Sequence, residues 1–575
     1  MSSPESSPES SPESSPEQSG ARESPQRPGT PLDAHDAPYA PGGAGAPDVA
    51  ALVASAAADH PGRLAVVEAG GRGLTWAELE DEVGRVATGL GRAGVLAGSR
   101  VMLVLGNRLE FVTSYLGVLR AQAVAVPVNP GSTPTELAAL LVDCGARLVV
   151  ADGRTVAAVR DAVARPEVAA AALDEHRPAP RVVLVGEDPD DGELAYDELR
   201  AREAVPVPPL QDPEKLAVLL YTSGTTGRPR AAMLTHRALL ANVDQVASVE
   251  PPMIHSDDVV LGVLPLFHVY GLGAVLGGVI RHRAKLVLAE RFDPEGTLDL
   301  IEDEACSVVP VAPPVFAAWQ GVDALAERLG PVRMILSGSA PLAAEAVEAF
   351  GAVAQVPVHQ GYGLTEASPV VTSTLRSAQV KPGSVGAALD GIDIRLVDDE
   401  GVPLEDAAAD DPGEIQIRGR NLFSGYWPDG HDGPGEDGWW STGDVGFLDA
   451  DGDLFLVDRV KELVIVSGFN VYPTEVEAVI EEVPGVRQAA VLGVPDAQTG
   501  EAVVAYVVPT DDATAGGPAE DVVSAVRAAA QERLAPYKRP VRVEVVAALP
   551  RTVTGKIRKG VLRGAERRKA LGILE

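Results

Sequence analysis

The residues with the clearest capacity for chemistry form a run of small and hydroxyl-bearing side chains. The apolar segment Leu216–Leu220 leads directly into Tyr221, Thr222, Ser223, Gly224, Thr225, Thr226 and Gly227. Glycine allows the backbone to approach phosphate oxygens, so successive N–H groups can surround an anion while the hydroxyls add donors. Arg230 adds positive charge. The spacing excludes a Walker A loop, and the run is longer than an ordinary Ser/Thr/Gly turn requires.

Four further strings combine glycine with charged or hydroxyl residues. They are Gly361-Tyr362-Gly363-Leu364-Thr365-Glu366, Ser441-Thr442-Gly443-Asp444, Asp458-Arg459-Val460-Lys461-Glu462-Leu463 and Pro550-Arg551-Thr552-Val553-Thr554-Gly555-Lys556. Each alone has an ordinary interpretation, because Thr-Gly-Asp is a common turn and a C-terminal lysine usually belongs to a solvated patch. Their occurrence in one order along the chain favours a shared site.

In this order and at these intervals, the five strings resemble those of the acyl-adenylate-forming superfamily. That superfamily contains acyl-CoA synthetases, adenylation domains of peptide synthetases, and luciferases. The resemblance covers residues 47–570, and fatty-acyl and aryl acyl-CoA synthetases are the most similar subgroup. It implies a ligase that converts a carboxylic acid to acyl-AMP and then to a thioester, with ATP, Mg²⁺ and coenzyme A.

Charge neutralisation is the main demand of this reaction, since an ionised carboxylate must attack the phosphorus of another anion. The resemblance implies that Lys556 is the main catalytic cation, between the substrate carboxylate and the α-phosphate. Thr365 would contact that phosphate. Glu366 would hold Mg²⁺, a hard cation suited to carboxylate oxygens, with Thr222 as a second ligand.

The resemblance also places the nucleoside. Tyr362, beside Gly361, would stack on adenine. Asp444 would accept hydrogen bonds from both ribose hydroxyls, and Arg459 would contact ribose or phosphate.

A domain rotation about Lys461 is expected between the two half-reactions. It would withdraw Lys556 from the site and form a channel for the thiol. Gly468 would line this channel and leave room for the pantetheine arm.

One departure concerns the phosphate loop. Arg230-Ala231 stands where family members usually have Lys-Gly. Arginine keeps the charge and can bind phosphate through two N–H groups, so we expect activity with altered nucleotide geometry. The alternative outside the enzyme class is an inactive scaffold with the same fold.

The acyl pocket is expected around His268, Gly338 and Gly363, with His268 lining the pocket or serving as an ordinary core histidine. No acidic residue lies between Val259 and Ala289, so an amino-acid substrate would lack a partner for its ammonium group. Gly271 and Gly273 would leave space for an aliphatic chain, which Trp319 could shorten. A medium- or long-chain fatty acid is therefore the first expectation. An aryl acid such as a cinnamate or benzoate is the second.

The acyl acceptor has an alternative as well, because an acyl-AMP ligase would deliver its product to a carrier protein. The sequence does not indicate the oligomeric state.

The elements that must position these residues follow an alternating pattern. Short β-branched runs alternate with amphipathic stretches, which predicts an α/β fold with two parallel-sheet βα subdomains. Short strands over residues 390–459 predict a small antiparallel or barrel-like subdomain. A small mobile α+β domain should follow, giving a tail (1–45), an N-terminal AMP-binding domain (46–459) and a C-terminal domain (460–575).

Composition excludes other functions. Lys and Arg number 48 and Asp and Glu 82, for a net charge of −34, which opposes binding to nucleic acid or anionic lipid. Cys144 and Cys306 form no disulfide pattern, as expected for a cytoplasmic protein. Four Ser-Ser-Pro-Glu repeats in the tail predict disorder. The uncharged segment Val259–Ile280 is interrupted by proline and five glycines, which predicts a strand, a turn and a buried helix rather than a membrane span.

Overall fold

The computed structural model describes residues 46–223, 229–339, 342, 344–398, 401–404, 413–459, 464–471, 473–510, 519–550, 557 and 559–570. The tail (1–45) lies outside these residues. Six predicted site residues also lie outside them. These are Gly224, Thr225, Thr226 and Gly227 of the phosphate loop, the hinge residue Lys461, and Lys556.

Two mostly parallel seven-stranded sheets form the larger part of the fold. The strands of sheet A lie in the order Val358–Gln360, Met334–Ser337, Val308–Val311, Val259–Gly262, Lys285–Leu288, Leu64–Glu68 and Gly73–Thr75. Those of sheet B lie in the order Leu194–Ala195, Arg181–Val185, Leu148–Asp152, Arg100–Val104, Val124–Pro127, Leu216–Ser223 and Pro229–Thr235. In each sheet the last strand is antiparallel to its neighbour and the others are parallel. The predicted α/β architecture is confirmed.

The helices connect and cover these strands, since parallel strands need crossover connections. The α-helices in this part are Ala51–Asp59, Trp76–Arg92, Leu109–Arg120, Pro134–Cys144, Val156–Val163, Pro166–Asp174, Tyr196–Leu199, His236–Ala247, Gly278–His282, Pro294–Glu304, Pro314–Trp319, Leu325–Arg328 and Ala344–Ala354. Short 3₁₀-helices cover Thr365–Ala367 and Thr374–Arg376, and a π-helix covers Tyr270–Gly277.

Sheet C is antiparallel and six-stranded, in agreement with the prediction for residues 390–459. Its strands lie in the order Thr372–Ser373, Ser384–Ala388, Asp453–Arg459, Trp440–Leu448, Gly413–Gly419 and Ile392–Val397.

A smaller α+β unit ends the chain. In sheet D the strands lie in the order Phe469–Val471, Val464–Val466, Gly500–Pro509 and Val486–Asp496, and Arg542–Val545 pairs in parallel with Gly500–Pro509. Its helices are Pro473–Glu481, Ala519–Arg533, Lys559–Ala570 and the 3₁₀-helix Pro536–Lys538. The unit has its own cluster of buried valines and other apolar residues.

A capping box fixes where the helix Pro134–Cys144 begins. Thr133 precedes the helix Pro134–Cys144, and its hydroxyl accepts a hydrogen bond from the backbone N–H of Glu136. The Glu136 carboxylate accepts in turn from the N–H of Thr133, which completes a capping box. This arrangement holds Glu136 at the helix start, where its second oxygen is available for another contact.

The uncharged segment Val259–Ile280 forms a strand, a turn, a π-helix and the start of the next helix, as predicted. None of the helices in the described ranges combines the length and apolar character needed to cross a membrane.

Candidate active site

A cavity lies where sheets A, B and C meet. The carboxyl ends of strands Met334–Ser337 and Val358–Gln360 line it from sheet A, and Thr222 lines it from sheet B. Sheet C contributes Thr442 and Asp444. Ligands of α/β proteins bind at the carboxyl ends of parallel strands, so the topology brings together residues from separate strings.

Tyr362 and Asp444 form the core of the predicted nucleoside site. The Tyr362 hydroxyl donates to the Asp444 carboxylate with 2.8 Å between oxygens, and both side chains are buried. Gly361 allows this loop to pack closely, because a Cβ there would lie 2.7 Å from the Thr372 carbonyl oxygen. Arg459 is paired with Asp444 by backbone register, which places its Cα beside the site.

Glu366 faces the same cavity from the 3₁₀-helix that begins at Thr365. It is buried, and its carboxylate accepts a hydrogen bond of 2.6 Å from the hydroxyl of Tyr426. One carboxylate that faces the predicted phosphate site fits Mg²⁺, which usually binds proteins through one or two carboxylates together with substrate phosphates and water. Thr222 lines the same cavity.

The ends of the predicted phosphate loop are paired across a β-hairpin. Thr222 lies opposite Arg230 in the register, and the Thr222 hydroxyl donates to the Arg230 carbonyl at 3.4 Å. The backbone of Ser223 continues the strand. The hairpin therefore brings Thr222 and Arg230 to the cavity together.

His268 lines the cavity at the start of the π-helix. Its Nδ1 accepts a hydrogen bond from the N–H of Tyr270, so the proton of the neutral ring is on Nε2. Burial lowers the pKa of His268 to about 4. The imidazole is therefore neutral at physiological pH and is unsuited to act as a cation.

Tyr270 and Gly338 line the predicted acyl end of the cavity together. A Cβ on Gly338 would lie 2.8 Å from the Tyr270 ring, so only glycine fits there without a shift. The Tyr270 hydroxyl donates to the Leu336 carbonyl at 3.3 Å. Gly363 instead serves the loop backbone, since a Cβ there would lie 2.3 Å from the Pro369 carbonyl oxygen.

Gly468 brings the C-terminal unit to the site. It has φ of +82°, and a Cβ there would contact Ala312 at 3.4 Å and Ser339 at 3.9 Å. Ser339 lines the cavity. The next residue, Phe469, stacks on Phe267 with ring centroids 5.9 Å apart. The predicted role of Gly468 in a thiol channel stays a prediction, and the structure places this residue beside the cavity.

Comparison with known proteins agrees with this geometry. A family profile described as AMP-binding enzyme matches residues 53–427, and one described as AMP-binding enzyme C-terminal domain matches residues 475–556. The chain belongs to the AMP-binding enzyme family. It is 35% identical to 4-coumarate–CoA ligase 3 of Oryza sativa subsp. japonica over 517 residues, covering 88% of each chain.

Solved structures show the same similarity. The amide bond synthetase McbA from Marinactinospora thermotolerans superposes with a TM-score of 0.75 at 29% identity, covering 90% of this chain and 99% of McbA. The o-succinylbenzoate CoA synthetase MenE from Bacillus subtilis gives 0.75 at 26% identity, covering 89% and 98%. This AMP-binding enzyme is accordingly an acid–thiol ligase that activates a carboxylic acid with ATP as an acyl-adenylate and transfers the acyl group to CoA.

Two expectations about the acyl pocket of this AMP-binding enzyme were wrong. Gly271 and Gly273 leave no space for substrate: a Cβ would lie 2.3 Å from the Pro265 carbonyl oxygen or 2.8 Å from that of Ser368. They allow close backbone packing instead. Trp319 is fully buried in the core and donates to the Pro294 carbonyl at 3.0 Å, so it does not limit the pocket.

A buried ionic contact joins the two parts of the AMP-binding enzyme. Lys538 lies 2.7 Å from Glu475 of its own unit and 3.3 Å from Glu136 of the larger unit. Glu136 also accepts a hydrogen bond from the N–H of Ala535 at 3.3 Å. Burial alone would lower the pKa of Lys538, but Tyr537 and the two glutamates raise it.

Sequence reasoning missed Tyr426, Asp432 and Trp440. Tyr426 lies in a Gly-Tyr-Trp-Pro turn whose composition indicates only a loop. It is 60 residues from Glu366, so only the tertiary fold shows that they touch.

Proposed function

We propose that this ligase activates an aryl acid of the cinnamate or benzoate type. The proposal rests on the Tyr270 ring, which packs at Gly338 and forms one wall of the acyl end. Paired aromatic rings gain about 0.5–1.5 kcal/mol beyond the burial of their area. The hydrogen bond from the Tyr270 hydroxyl to the Leu336 carbonyl fixes the orientation of the ring. The ring therefore presents a flat wall, which favours a flat substrate.

The remaining acyl-end residues support an uncharged aromatic group. The apolar ones among them are Val246, Met253, Ile254, Val275 and Val370, and the His268 imidazole is neutral. The acidic residues among the described cavity walls are Glu366 and Asp444, at the predicted nucleotide end. An acid with a free ammonium group would lack a partner.

A fatty acid has less support in the structure than in the sequence. Its main argument was the space at Gly271 and Gly273, which backbone atoms fill. Relatives named for 4-coumarate and o-succinylbenzoate also favour an aromatic acid.

The nucleotide roles belong to the proposal too. Tyr362 and Asp444 would hold the nucleoside, while Thr365 and Glu366 would face the α-phosphate and Mg²⁺. Their common location on one cavity supports these roles.

The test is pyrophosphate release from a panel of cinnamates, benzoates, straight-chain fatty acids and amino acids, with and without CoA. We expect aryl acids to give the highest kcat/KM and CoA to yield the aryl-CoA ester. Tyr270→Leu should raise KM for the aryl acid about tenfold and leave KM for ATP unchanged, since about 1.4 kcal/mol corresponds to a factor of ten. Preferred use of a fatty acid, or pyrophosphate release without any CoA ester, would contradict the proposal.

A further inference from the structure

The guanidinium of Arg230 has two partners at the edge of the cavity. One of its terminal nitrogens lies 2.6 Å from a carboxylate oxygen of Asp432. Its central carbon lies 3.7 Å from the centre of the Tyr426 ring. The residue that departs from the usual lysine is thus held by both a charge and an aromatic face.

The aromatic partner fixes the position of the group. Tyr426 is buried, and its hydroxyl donates to Glu366 at 2.6 Å. Because a planar guanidinium stacks on a ring with its N–H groups directed outward in the plane, Tyr426 aligns Arg230 with the cavity that Glu366 also faces. Lysine has no planar group that could stack on the ring, which explains in physical terms why arginine suits position 230.

The charged partner is held in a different way. The Asp432 side chain is 66% exposed, while its backbone carbonyl accepts a hydrogen bond of 2.9 Å from the Trp440 indole. The loop is therefore anchored, but the carboxylate can turn into water. An exposed ion pair of this kind is weak and can be exchanged easily.

We propose that Asp432 is an internal competitor that occupies Arg230 in place of the polyphosphate. Carboxylate and phosphate oxygens bind the same N–H donors of a guanidinium. ATP binding displaces Asp432 from Arg230, and Asp432 takes the guanidinium back as pyrophosphate leaves. Tyr426 holds the guanidinium in place during both exchanges. This inference depends on ATP use and not on which acid is activated.

Removal of the Asp432 charge tests whether this carboxylate weakens or strengthens the binding of ATP and pyrophosphate. Asp432→Asn should lower the Kd of Mg-ATP and of Mg-pyrophosphate about threefold, measured by calorimetric titration, because an exposed ion pair contributes a factor of this size. KM for ATP should fall in parallel, and product inhibition by pyrophosphate should strengthen. Weaker or unchanged binding of both ligands would show that Asp432 positions Arg230 or is inert, and would overturn the proposal.

The same loop offers a matched control. Asp429 is also an exposed carboxylate and contacts His431 rather than Arg230. Asp429→Asn removes the same charge, so it should leave both affinities unchanged. An equal gain from this variant would indicate a general effect of the protein's negative charge and would overturn the proposal.

A double-mutant cycle tests whether Asp432 acts through Arg230. Arg230→Gln should weaken ATP binding about tenfold, as expected for loss of a charged phosphate contact. In this background Asp432→Asn should have no further effect. If Asp432→Asn still strengthens binding when Arg230 is absent, the exchange does not occur on Arg230.

Discussion

The hydroxyl of Tyr362 donates a hydrogen bond to the carboxylate of Asp444, which lies 82 residues later in the chain. The bond is 2.8 Å long and is made between two buried side chains. It fixes an aromatic face and a carboxylate relative to each other, and these are the groups predicted to hold adenine and ribose. Such preorganisation reduces the entropy lost when the nucleotide binds.

Tyr362→Phe tests this arrangement, because it keeps the ring and removes the hydrogen bond. A hydrogen bond to a charged group contributes about 1.5–3 kcal/mol, so KM for ATP should rise at least tenfold while KM for the acid stays constant. Tyr196→Phe is the control, since it removes a buried hydroxyl that bonds to Thr113 at 2.7 Å outside the cavity. An equal rise in both KM values for Tyr362→Phe would contradict the assigned role.

Glu366→Gln tests the predicted metal site. The amide keeps the shape of the side chain but lacks the charge that Mg²⁺ prefers. We expect the Mg²⁺ concentration for half-maximal pyrophosphate release to rise about tenfold, and EDTA to abolish release by the unaltered enzyme. An unchanged Mg²⁺ requirement in the variant would assign the metal to other groups.

His268 contributes to the pH dependence of stability, as do His236 and His282, whose pKa values burial also lowers to about 4. Burial lowers the pKa of His268 from 6.5 to about 4, so the folded protein keeps the ring neutral while the unfolded chain takes up a proton. Stability at this site is therefore lost as pH falls from 6.5 towards 4, by about 2 kcal/mol at pH 5. His268→Gln should show a smaller decrease in Tm between pH 7 and pH 5 than the unaltered protein. If Tm decreases equally in the variant and in the unaltered protein, His268 does not cause the loss of stability in acid.

Local sequence predicted the elements well because hydrophobic period and caps are local. The parallel sheets and the short antiparallel strands over residues 390–459 both form as their patterns predict. The roles of glycines were harder to predict. A Cβ on Gly468 would meet only side-chain carbons of Ala312 and Ser339, whereas one on Gly271 or Gly273 would meet backbone atoms at much shorter distances. A glycine has the same sequence signal whether substrate or another chain segment occupies the place of its Cβ, so only the fold separates these roles.

Contacts between distant segments also could not be predicted from the sequence. The partner of Glu366 is Tyr426, and the partners of Arg230 are Tyr426 and Asp432. Each pair joins different sheets or loops, and no local period specifies such a meeting.

Lys556 and Lys461 lie outside the described residues, and their roles stay predictions from the resemblance. Lys556→Ala should abolish pyrophosphate release yet allow thioester formation from supplied acyl-AMP and CoA. Lys461→Pro restricts the backbone at the hinge. It should allow pyrophosphate release and abolish thioester formation from supplied acyl-AMP and CoA. Normal adenylation by Lys556→Ala would show that another cation neutralises the α-phosphate.

Glu136 should control how long the C-terminal unit stays in the observed arrangement. Its carboxylate reaches Lys538 and the Ala535 N–H across the junction, and Gly468 lies beside Ala312 in the same arrangement. Glu136→Gln keeps the size and the acceptor oxygen but removes the charge. The contact should weaken by about 1–2 kcal/mol, or about tenfold in the population of this arrangement.

Thioester formation from supplied acyl-AMP should then slow up to tenfold, while pyrophosphate release without CoA keeps its rate. Glu482→Gln is the matched control, because Glu482 pairs with Arg533 within the C-terminal unit at 2.6 Å and should affect neither step. If Glu136→Gln slows both half-reactions equally, the contact serves general stability. If it slows neither, the contact between Glu136 and Lys538 has no influence on the position of the C-terminal unit during thioester formation.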